Sequence, residues 1–335
     1  MHGPIPARAY DVAMRDAAND VTSTDQPATQ EPIAVVGPGA IGGLVAAMLQ
    51  RAGHDVVVVA RERTARHVAE HGLDVTTDEF GAWHAALPAV TEVPHGARVV
   101  VAVKAEGVAD AARLLGPAAP AEVLSLLNGL DHVDTLRTAL PGVEVVGATI
   151  AGETLRTGAD GPGPALVRHR GTLLRTVVPD DAAELGVVAA LRDTPIEVLT
   201  GGTEAEVLWK KLRFLAPLAL LTSTWATGIG EALTRDPALT AGLLDEIAAT
   251  ATAEGVPTTG DDLRGILGGF PPAMRSSLQA DIEAGREGEL DAIGGAVRRR
   301  AARHGIATPV LDDVVGRIAA RAASSSAGSA AGAQA

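Results

Sequence analysis

The feature that most constrains the fold of this chain is a glycine-rich turn between two short apolar runs. Ile33-Ala34-Val35-Val36 leads into the turn, an apolar helical pattern follows it, and Val56-Val57-Val58-Val59-Ala60 is the second run. A G-x-G-x-x-G turn that follows a strand and opens a helix within about thirty residues predicts a dinucleotide-binding Rossmann unit, because a pyrophosphate can then lie at the helix N-terminus. The alternative is a glycine turn in an unrelated α/β protein. The predicted cofactor-binding residues of the turn are Gly37, Pro38, Gly39, Ala40, Ile41 and Gly42.

The residue after the second apolar run distinguishes between the two nicotinamide cofactors. Sites specific for NAD place an Asp or Glu there, which accepts a hydrogen bond from the ribose 2′-hydroxyl. This chain has Arg61 at that position, followed by Glu62. Because the forked donors of a guanidinium suit a 2′-phosphate, we predict NADPH as the cofactor. The alternative is that Arg61 is a solvated surface residue and that Glu62 reads the ribose.

The strands that follow predict where ligands bind. The run from Arg98 to Val103 ends at Lys104, and the run from Glu122 to Leu127 ends at Asn128. Since ligands bind beyond the carboxyl ends of the strands in a doubly wound sheet, Lys104 and Asn128 are predicted to lie where ligands bind. Two more apolar stretches, 143–150 and 165–178, are predicted to close the same sheet with a hairpin.

The hydrophobic pattern of the sequence changes near residue 201, from short apolar runs to long amphipathic helical patterns. The predicted fold class is therefore α/β, with an N-terminal Rossmann dinucleotide-binding domain over 32–200 and an all-α C-terminal domain over 201–323. We expect the active site between the two domains. The polar residues 1–31 and the small residues 324–335 are predicted to be disordered tails.

Charge and composition exclude several classes of partner and site. The net charge of −13 disfavours binding to nucleic acid or to an anionic membrane, and the absence of cysteine excludes thiolate nucleophiles and Cys-ligated zinc. With no apolar run near the ~20 residues of a membrane span, we expect a cytoplasmic protein. His67-Val68-Ala69-Glu70-His71 has the spacing of a zinc peptidase, but it lies on the predicted helix after Arg61, and we interpret it as a solvated face rather than a metal site.

Lysine is rare in this chain. Only three of its 28 basic residues are lysines, namely Lys104, Lys210 and Lys211. Arginine does not give up a proton in proteins, whereas lysine can. In a chain that uses arginine wherever a positive charge suffices, a lysine suggests a position where proton transfer is needed.

A series of motifs, taken in order, resembles the ketopantoate reductase (2-dehydropantoate 2-reductase) family over about Ile33 to Val315. After the glycine turn and the Val-Lys104 strand end, the matching segments are Asn128-Gly129, Leu208-Trp209-Lys210-Lys211-Leu212, Ser276-Ser277-Leu278 with Asp281, Glu289-Leu290-Asp291, and Arg300-Ala301-Ala302-Arg303-His304-Gly305-Ile306-Ala307-Thr308-Pro309. The resemblance implies NADPH-dependent reduction of a 2-oxo acid, and it is compatible with a monomer or a homodimer.

The resemblance also implies roles for individual residues. Lys211 would be the general acid, Glu289 would support the lysine and the substrate, and Ser277 would bind the substrate carboxylate. Asn128 and Lys104 would bridge cofactor and substrate. The chemistry is consistent, because hydride addition to a carbonyl leaves negative charge on oxygen and an ammonium group can supply the proton. Alternatively, Lys211 is a helix-surface lysine and Glu289 is a carboxylate favoured at a helix N-terminus.

The chain departs from the family pattern at four positions where members often carry asparagine. The residues here are Leu215, Ala219, Ile229 and Met274. A pocket without those amides does not compensate a buried substrate hydroxyl, which costs about 1–3 kcal/mol. We therefore hypothesise a more apolar substrate, such as a bulkier 2-oxo acid, a 1,3-dicarbonyl or an imine. Two alternatives are a genuine 2-dehydropantoate 2-reductase and a non-catalytic NADPH-binding sensor or structural protein.

Overall fold

The structure, a computed structural model, describes residues 31–159, 161–286 and 288–332. The tail predicted for 1–31 lies, but for its last residue, outside the described residues. The chain forms two compact units: one ends at Val207 and the other begins at Leu208. The predicted fold class is confirmed, since the first unit is built on a parallel sheet and the second is helical.

A parallel six-stranded sheet is the centre of the first unit. Its order is β5-β2-β1-β6-β7-β8, so the chain reverses its direction of winding between β1 and β6. The strands are β1 (Ile33–Val36), β2 (Val56–Val59), β5 (Ala89–Val90), β6 (Arg98–Val101), β7 (Glu122–Ser125) and β8 (Glu144–Gly147). A reversal of this kind opens a crevice at the carboxyl ends of the strands, which is where a dinucleotide binds in such folds.

Both faces of the parallel sheet are buried, which explains the continuous apolar runs of its strands. Along β1, Ile33 and Val35 face one core, and Ala34 and Val36 face the other. The helices of this unit are α1 (Ala40–Arg51), α2 (Glu62–His71), α3 (Val108–Ala118), α4 (Asp131–Ala139) and α5 (Gly186–Arg192). The core on one face includes residues of α1 and α5, and the core on the other includes residues of α3 and α4.

A second sheet corrects the prediction of a hairpin that closes the first. Its path is β11-β10-β3-β4, with β9 paired to β10. The strands are β3 (Leu73–Thr77), β4 (Gly81–Ala85), β9 (Thr149–Thr157), β10 (Ala165–Val178) and β11 (Glu197–Thr200). The predicted hairpin of 143–150 with 165–178 is correct only at its end, where Thr149 and Ile150 of β9 pair antiparallel with Val177 and Thr176 of β10. The rest of it is wrong, because 144–147 pairs with β7 and β10 also pairs with β3 and β11. These partners are distant in sequence, and local periodicity does not encode them.

The second unit consists of helices. The helices, from the one that crosses the boundary onward, are α6 (Glu204–Trp225), α7 (Ile229–Arg235), α8 (Pro237–Ala253), α9 (Gly260–Gly268), α10 (Ser277–Glu283), α11 (Ala296–Arg303) and α12 (Pro309–Gly332). A π-helical turn at Asp291–Gly295 precedes α11. Helix α12 continues to Gly332 through alanines and serines, which a helix tolerates, and the disordered tail over 324–335 stays a prediction. Residues 333–335 lie outside the described residues.

None of the described helices combines the length and the apolar character that crossing a membrane requires.

Candidate active site

The glycine turn between β1 and α1 has the backbone geometry of an anion-binding site. Gly37 has a φ of +90°, which residues other than glycine rarely adopt. A Cβ on Gly42 would lie 2.1 Å from the Gly37 carbonyl oxygen, so the third glycine is needed for the turn to close on the helix. A Cβ on Gly39 would instead enter open space. The N-terminus of α1 has no side-chain cap and no acidic residue in its first turn, which leaves its backbone donors to a ligand.

These features fit a nicotinamide dinucleotide. The predicted residues of the turn are brought together by the fold: Pro38 is buried, Gly39 is exposed, and Ala40 and Ile41 form the first turn of α1. The open space at Gly39 allows a phosphate to approach the backbone closely, as the second glycine of this motif requires.

Arg61 lies where the sequence predicted the reader of the ribose. It follows β2 and precedes α2, and it is exposed. Its Nη2 lies 3.2 Å from Asp110 Oδ2 on α3, and Arg113 pairs with the same carboxylate. Glu62, the alternative reader, pairs with Arg66 one helical turn later. Both side chains are thus exposed, and each has an ion-pair partner, Asp110 for Arg61 and Arg66 for Glu62.

Lys104 and Asn128 follow neighbouring strands of the parallel sheet, as predicted. Lys104 is exposed and stands three residues after β6, and Asn128 is partly buried and stands three residues after β7. Because β6 and β7 are paired in parallel, both residues are at the carboxyl edge of the sheet. This is the edge at which the glycine turn also lies.

Sequence reasoning missed one residue at the glycine turn. Arg156, on β9 of the second sheet, donates from Nη1 to the Pro38 carbonyl oxygen at 2.5 Å. The two residues are 118 positions apart, and no motif links them. Only the packing of the second sheet against α1 brings them into contact.

The helical unit brings Lys211 and Glu289 into electrostatic contact. Lys211 is partly buried on α6, and Glu289 precedes the π-helical turn. Burial lowers the pKa of Lys211 to about 8, and the negative charge of Glu289 opposes that fall. A lysine whose pKa lies near neutral pH can both hold and release a proton under physiological conditions. These properties differ from those of the surface lysine that the sequence left open.

A polar cluster fixes the segment of α6 that carries this lysine. Trp209 donates from its indole nitrogen to Glu254 at 3.0 Å, and His304 lies 2.7 Å from the other carboxylate oxygen. Burial alone would raise the pKa of Glu254, but the hydrogen bonds from His304 and Trp209 outweigh it and hold the pKa below its usual value. The cluster anchors α6 two residues before Lys211.

The four residues that stand in place of asparagine lie in the helical unit, and two of them are in contact. The Ile229 backbone nitrogen donates to the Met274 carbonyl oxygen at 2.9 Å. The two segments approach closely because Gly228 has no side chain: a Cβ there would lie 2.4 Å from the Pro272 carbonyl oxygen. Ile229 is fully buried.

The other two are both on α6. Ala219 is buried, and Leu215 is partly exposed. Leu215 is one helical turn after Lys211 and therefore shares its face. Ala219 is one turn further on. The row that starts at the lysine is apolar at both of the following positions.

The two serines at the start of α10, Ser276 and Ser277, lie in different environments. Ser276 is buried and caps the helix, since its hydroxyl accepts from the Gln279 backbone nitrogen at 3.1 Å. The same hydroxyl lies 2.8 Å from that of Thr222 on α6, so the pair ties the two helices together. Ser277, the predicted substrate residue, is exposed at the first position of α10. Its hydroxyl is therefore accessible to a ligand.

The H-x-x-E-H segment forms part of α2. His67 and His71 pack edge to face, with ring centroids 5.0 Å apart. Within residues 31–159, 161–286 and 288–332, no cluster of three or more histidine or acidic side chains could hold a metal ion.

Two family models match the chain. The model described as "Ketopantoate reductase PanE/ApbA" matches residues 33–181, and "Ketopantoate reductase PanE/ApbA C terminal" matches residues 205–322. Together they cover most of both compact units.

Individual proteins agree with the family models. A 2-dehydropantoate 2-reductase of Caulobacter vibrioides is 31% identical over 300 residues, which are 83% of this chain and 94% of that protein. The crystal structure of a ketopantoate reductase from Ralstonia eutropha JMP134 matches with a TM-score of 0.76 and 28% identity, covering 88% of this chain and 99% of that one. A D-mandelate dehydrogenase solved with NADH and anilino(oxo)acetate shares the fold, with a TM-score of 0.74, 21% identity, and coverage of 88% and 99%.

Proposed function

The chain belongs to the ketopantoate reductase family, and from that premise we propose that it reduces the carbonyl group of a 2-oxo acid or a related substrate with NADPH. The observation that carries the proposal is the partly buried Lys211, with a pKa of about 8, in electrostatic contact with Glu289. A non-catalytic dinucleotide-binding protein has no need of a lysine tuned in this way.

The proposed chemistry assigns a task to each predicted residue. When bound, the reduced nicotinamide supplies the hydride. Lys211 holds the proton that the carbonyl oxygen takes up as negative charge develops on it. Glu289 keeps the lysine protonated and oriented, because its charge raises the pKa of the ammonium group. Ser277 binds the substrate carboxylate, and Asn128 and Lys104 contact cofactor and substrate.

We propose NADPH rather than NADH because Arg61, an exposed guanidinium, lies just after β2, where NAD-specific sites place an acidic residue. A guanidinium binds a phosphate with charge-assisted hydrogen bonds, whereas it offers no acceptor for a ribose hydroxyl. The fold itself does not decide the cofactor, since the related D-mandelate dehydrogenase was solved with NADH.

We propose a substrate more apolar than ketopantoate. Leu215, Ala219, Ile229 and Met274 offer no side-chain hydrogen bond of the kind an amide gives, so a substrate hydroxyl buried against them would lose its solvation without compensation. The genuine 2-dehydropantoate 2-reductase activity is the second candidate, because the relatives with that name match along both units. A cytoplasmic location and a homodimer stay predictions.

The experiment that tests the proposal is NADPH oxidation by purified protein against 2-oxo acids, 1,3-diketones and imines that are graded by size and polarity. We expect turnover of 2-oxo acids, with kcat/KM rising from ketopantoate to analogues in which a methyl group replaces the hydroxyl. Ordinary efficiency with ketopantoate and none with the apolar analogues would support the second candidate. Binding of NADPH without turnover of any compound would favour the non-catalytic sensor.

A further inference from the structure

Beside the glycine turn lies Arg156, for which the described residues provide no carboxylate partner. Arg156 is partly buried, and only its Nη1 is satisfied, by the Pro38 carbonyl oxygen. Its Nε and Nη2 are shielded from solvent, and neither has a hydrogen-bond partner in the described part of the chain. Buried guanidinium donors are normally paired, because an unpaired buried charge is costly. The exception therefore needs an explanation.

The other arginines of the same two strands show what is missing. Each has a carboxylate oxygen within hydrogen-bonding or ion-pairing range, with Arg168 near Asp78 at 3.7 Å, Arg170 near Glu153 at 3.3 Å and Arg175 near Glu197 at 2.6 Å. Arg156 has no such ion pair among the described residues. Burial lowers the pKa of its guanidinium, since the charged form is poorly solvated there.

We propose that Arg156 is a positioning residue of the cofactor site and that the pyrophosphate of the bound dinucleotide provides its missing counter-charge. The inference rests on the proposed function, because it presumes that the glycine turn binds a dinucleotide. The bond to the Pro38 oxygen fixes the peptide plane between Pro38 and Gly39. The N–H of that peptide donates to the Gly37 oxygen at 2.8 Å and closes the turn. Arg156 thus orders the phosphate-binding backbone and places a positive charge beside it.

The glycine turn needs a positive charge from outside itself, and Arg156 on the second sheet supplies it. The turn contains no basic side chain, and the chain as a whole carries a net charge of −13. Within the turn itself, a doubly charged pyrophosphate that approached α1 would otherwise meet only backbone dipoles. A guanidinium held next to the turn offsets this repulsion locally without entering the turn itself.

The test is the dissociation constant of NADPH for the wild type and for Arg156→Met, which has a similar length but no charge. We expect the constant to rise about tenfold or more, which corresponds to ~1.4 kcal/mol. Arg156→Lys should recover part of the lost affinity, because it restores the positive charge but not the forked N–H donors of a guanidinium. Binding of ADP-ribose, which contains the pyrophosphate, should be weakened by Arg156→Met to a similar extent. Adenosine 2′-phosphate, which lacks the pyrophosphate, should bind Arg156→Met and the wild type with the same dissociation constant.

A merely structural role predicts different results. If Arg156 only stabilised the fold, Arg156→Met would lower the melting temperature of the cofactor-free protein. The proposal instead predicts an unchanged or raised melting temperature, since an unpaired buried charge is removed, and a weaker salt dependence of NADPH binding. Arg192→Met is the matched control, because Arg192 also donates to a backbone oxygen, that of Ala183 at 2.7 Å, but away from the turn. It should leave NADPH binding unchanged.

Two results would overturn the inference. One is a dissociation constant for Arg156→Met within twofold of the wild type. The other is equal weakening by Met and Lys with an unchanged salt dependence, because the charge would then have no role. Failure of the wild type to bind any nicotinamide dinucleotide would contradict the proposed function instead, so the two failures are distinguishable.

Discussion

In the unit that ends at Val207, the functional positions are set by backbone geometry, whereas in the unit that begins at Leu208 they are side chains on helices. In the glycine turn, the proposed site rests on a positive φ, an open Cβ position and uncapped N–H groups. In the helical unit, the proposed site consists of one lysine, one glutamate and four apolar residues. Under the proposed function, the difference implies that the unit with the glycine turn tolerates little change in backbone, while the helical unit can change its specificity by single side chains.

The largest expected effect separates chemistry from binding. Lys211→Met should lower the rate of NADPH oxidation about 10²- to 10⁴-fold, the usual contribution of a general acid. The dissociation constant of NADPH should stay the same, because the glycine turn is unchanged. Single-turnover kinetics and a fluorescence titration measure the two quantities.

The neighbouring lysine provides the control for that variant. Lys210→Met makes the same substitution one residue earlier on the same helix, and turnover should persist. Equal loss of turnover in both variants, with unchanged melting temperatures, would mean that Lys211 has no special role.

In the first unit, we expect the opposite result, namely a variant that weakens NADPH binding. Gly39→Leu places a side chain in the open space over the turn, where the backbone conformation imposes no strain. A steric conflict with the cofactor of about 1–3 kcal/mol would weaken NADPH binding roughly 10- to 100-fold while the protein stays folded. Isothermal titration calorimetry and thermal melting check the two parts.

Gly116→Leu is the matched control, since Gly116 is also an open position of ordinary backbone conformation but lies on α3. Both variants should melt near the wild-type temperature. Undiminished NADPH binding by Gly39→Leu would show that the dinucleotide does not bind at this turn.

A smaller effect concerns the cofactor's phosphate. Arg61→Ala should raise the KM for NADPH about tenfold and leave that for NADH unchanged, because an exposed charge-assisted bond is worth the lower end of about 1.5–3 kcal/mol. Glu62→Gln tests the alternative reader and should change neither constant. A loss of NADH affinity in Glu62→Gln, or equal constants for the two cofactors in the wild type, would contradict the assignment.

The smallest expected effect is a change of specificity in the helical unit. Leu215→Asn returns an amide to the turn after Lys211, at a partly exposed position where the substitution should be tolerated. One neutral hydrogen bond of about 1 kcal/mol would raise kcat/KM for ketopantoate, relative to its deoxy analogue, about fivefold. Leu215→Met, which keeps the volume, should leave the ratio where it is. A ratio that moves equally in both variants would mean that packing, not the amide, sets specificity.

The contrast between the units also decides how much the sequence could predict. The glycine turn, β1, α1 and β2 are neighbours in the chain, so local periodicity and turn chemistry were sufficient. The second sheet was missed because β10 pairs with β3, whose residues lie far from it in sequence. The contact of Arg156 with Pro38 depends on that sheet and was missed for the same reason.

In the helical unit, sequence motifs predicted Lys211 and Glu289 as site residues, but not why the pKa of the lysine is lowered. Its lowered pKa results from burial, which only the fold reveals. The link between Thr222 and Ser276 was likewise absent from any motif, although the serine pair itself had been noticed. The small residues from 324 onward did not predict the continuation of α12 to Gly332, although alanine favours helix.

The ammonium group of Lys211 is the centre of this account, and the pH dependence of kcat/KM tests it most directly. Because the proton donor is the charged form, activity should fall as the pH rises through about 8, the pKa of Lys211. Glu289→Gln removes the charge that raises this pKa, so the falling limb should move to lower pH. A wild-type kcat/KM that stays constant up to pH 10 would contradict the assignment of Lys211 as the general acid. So would a falling limb that Glu289→Gln leaves in place or moves to higher pH.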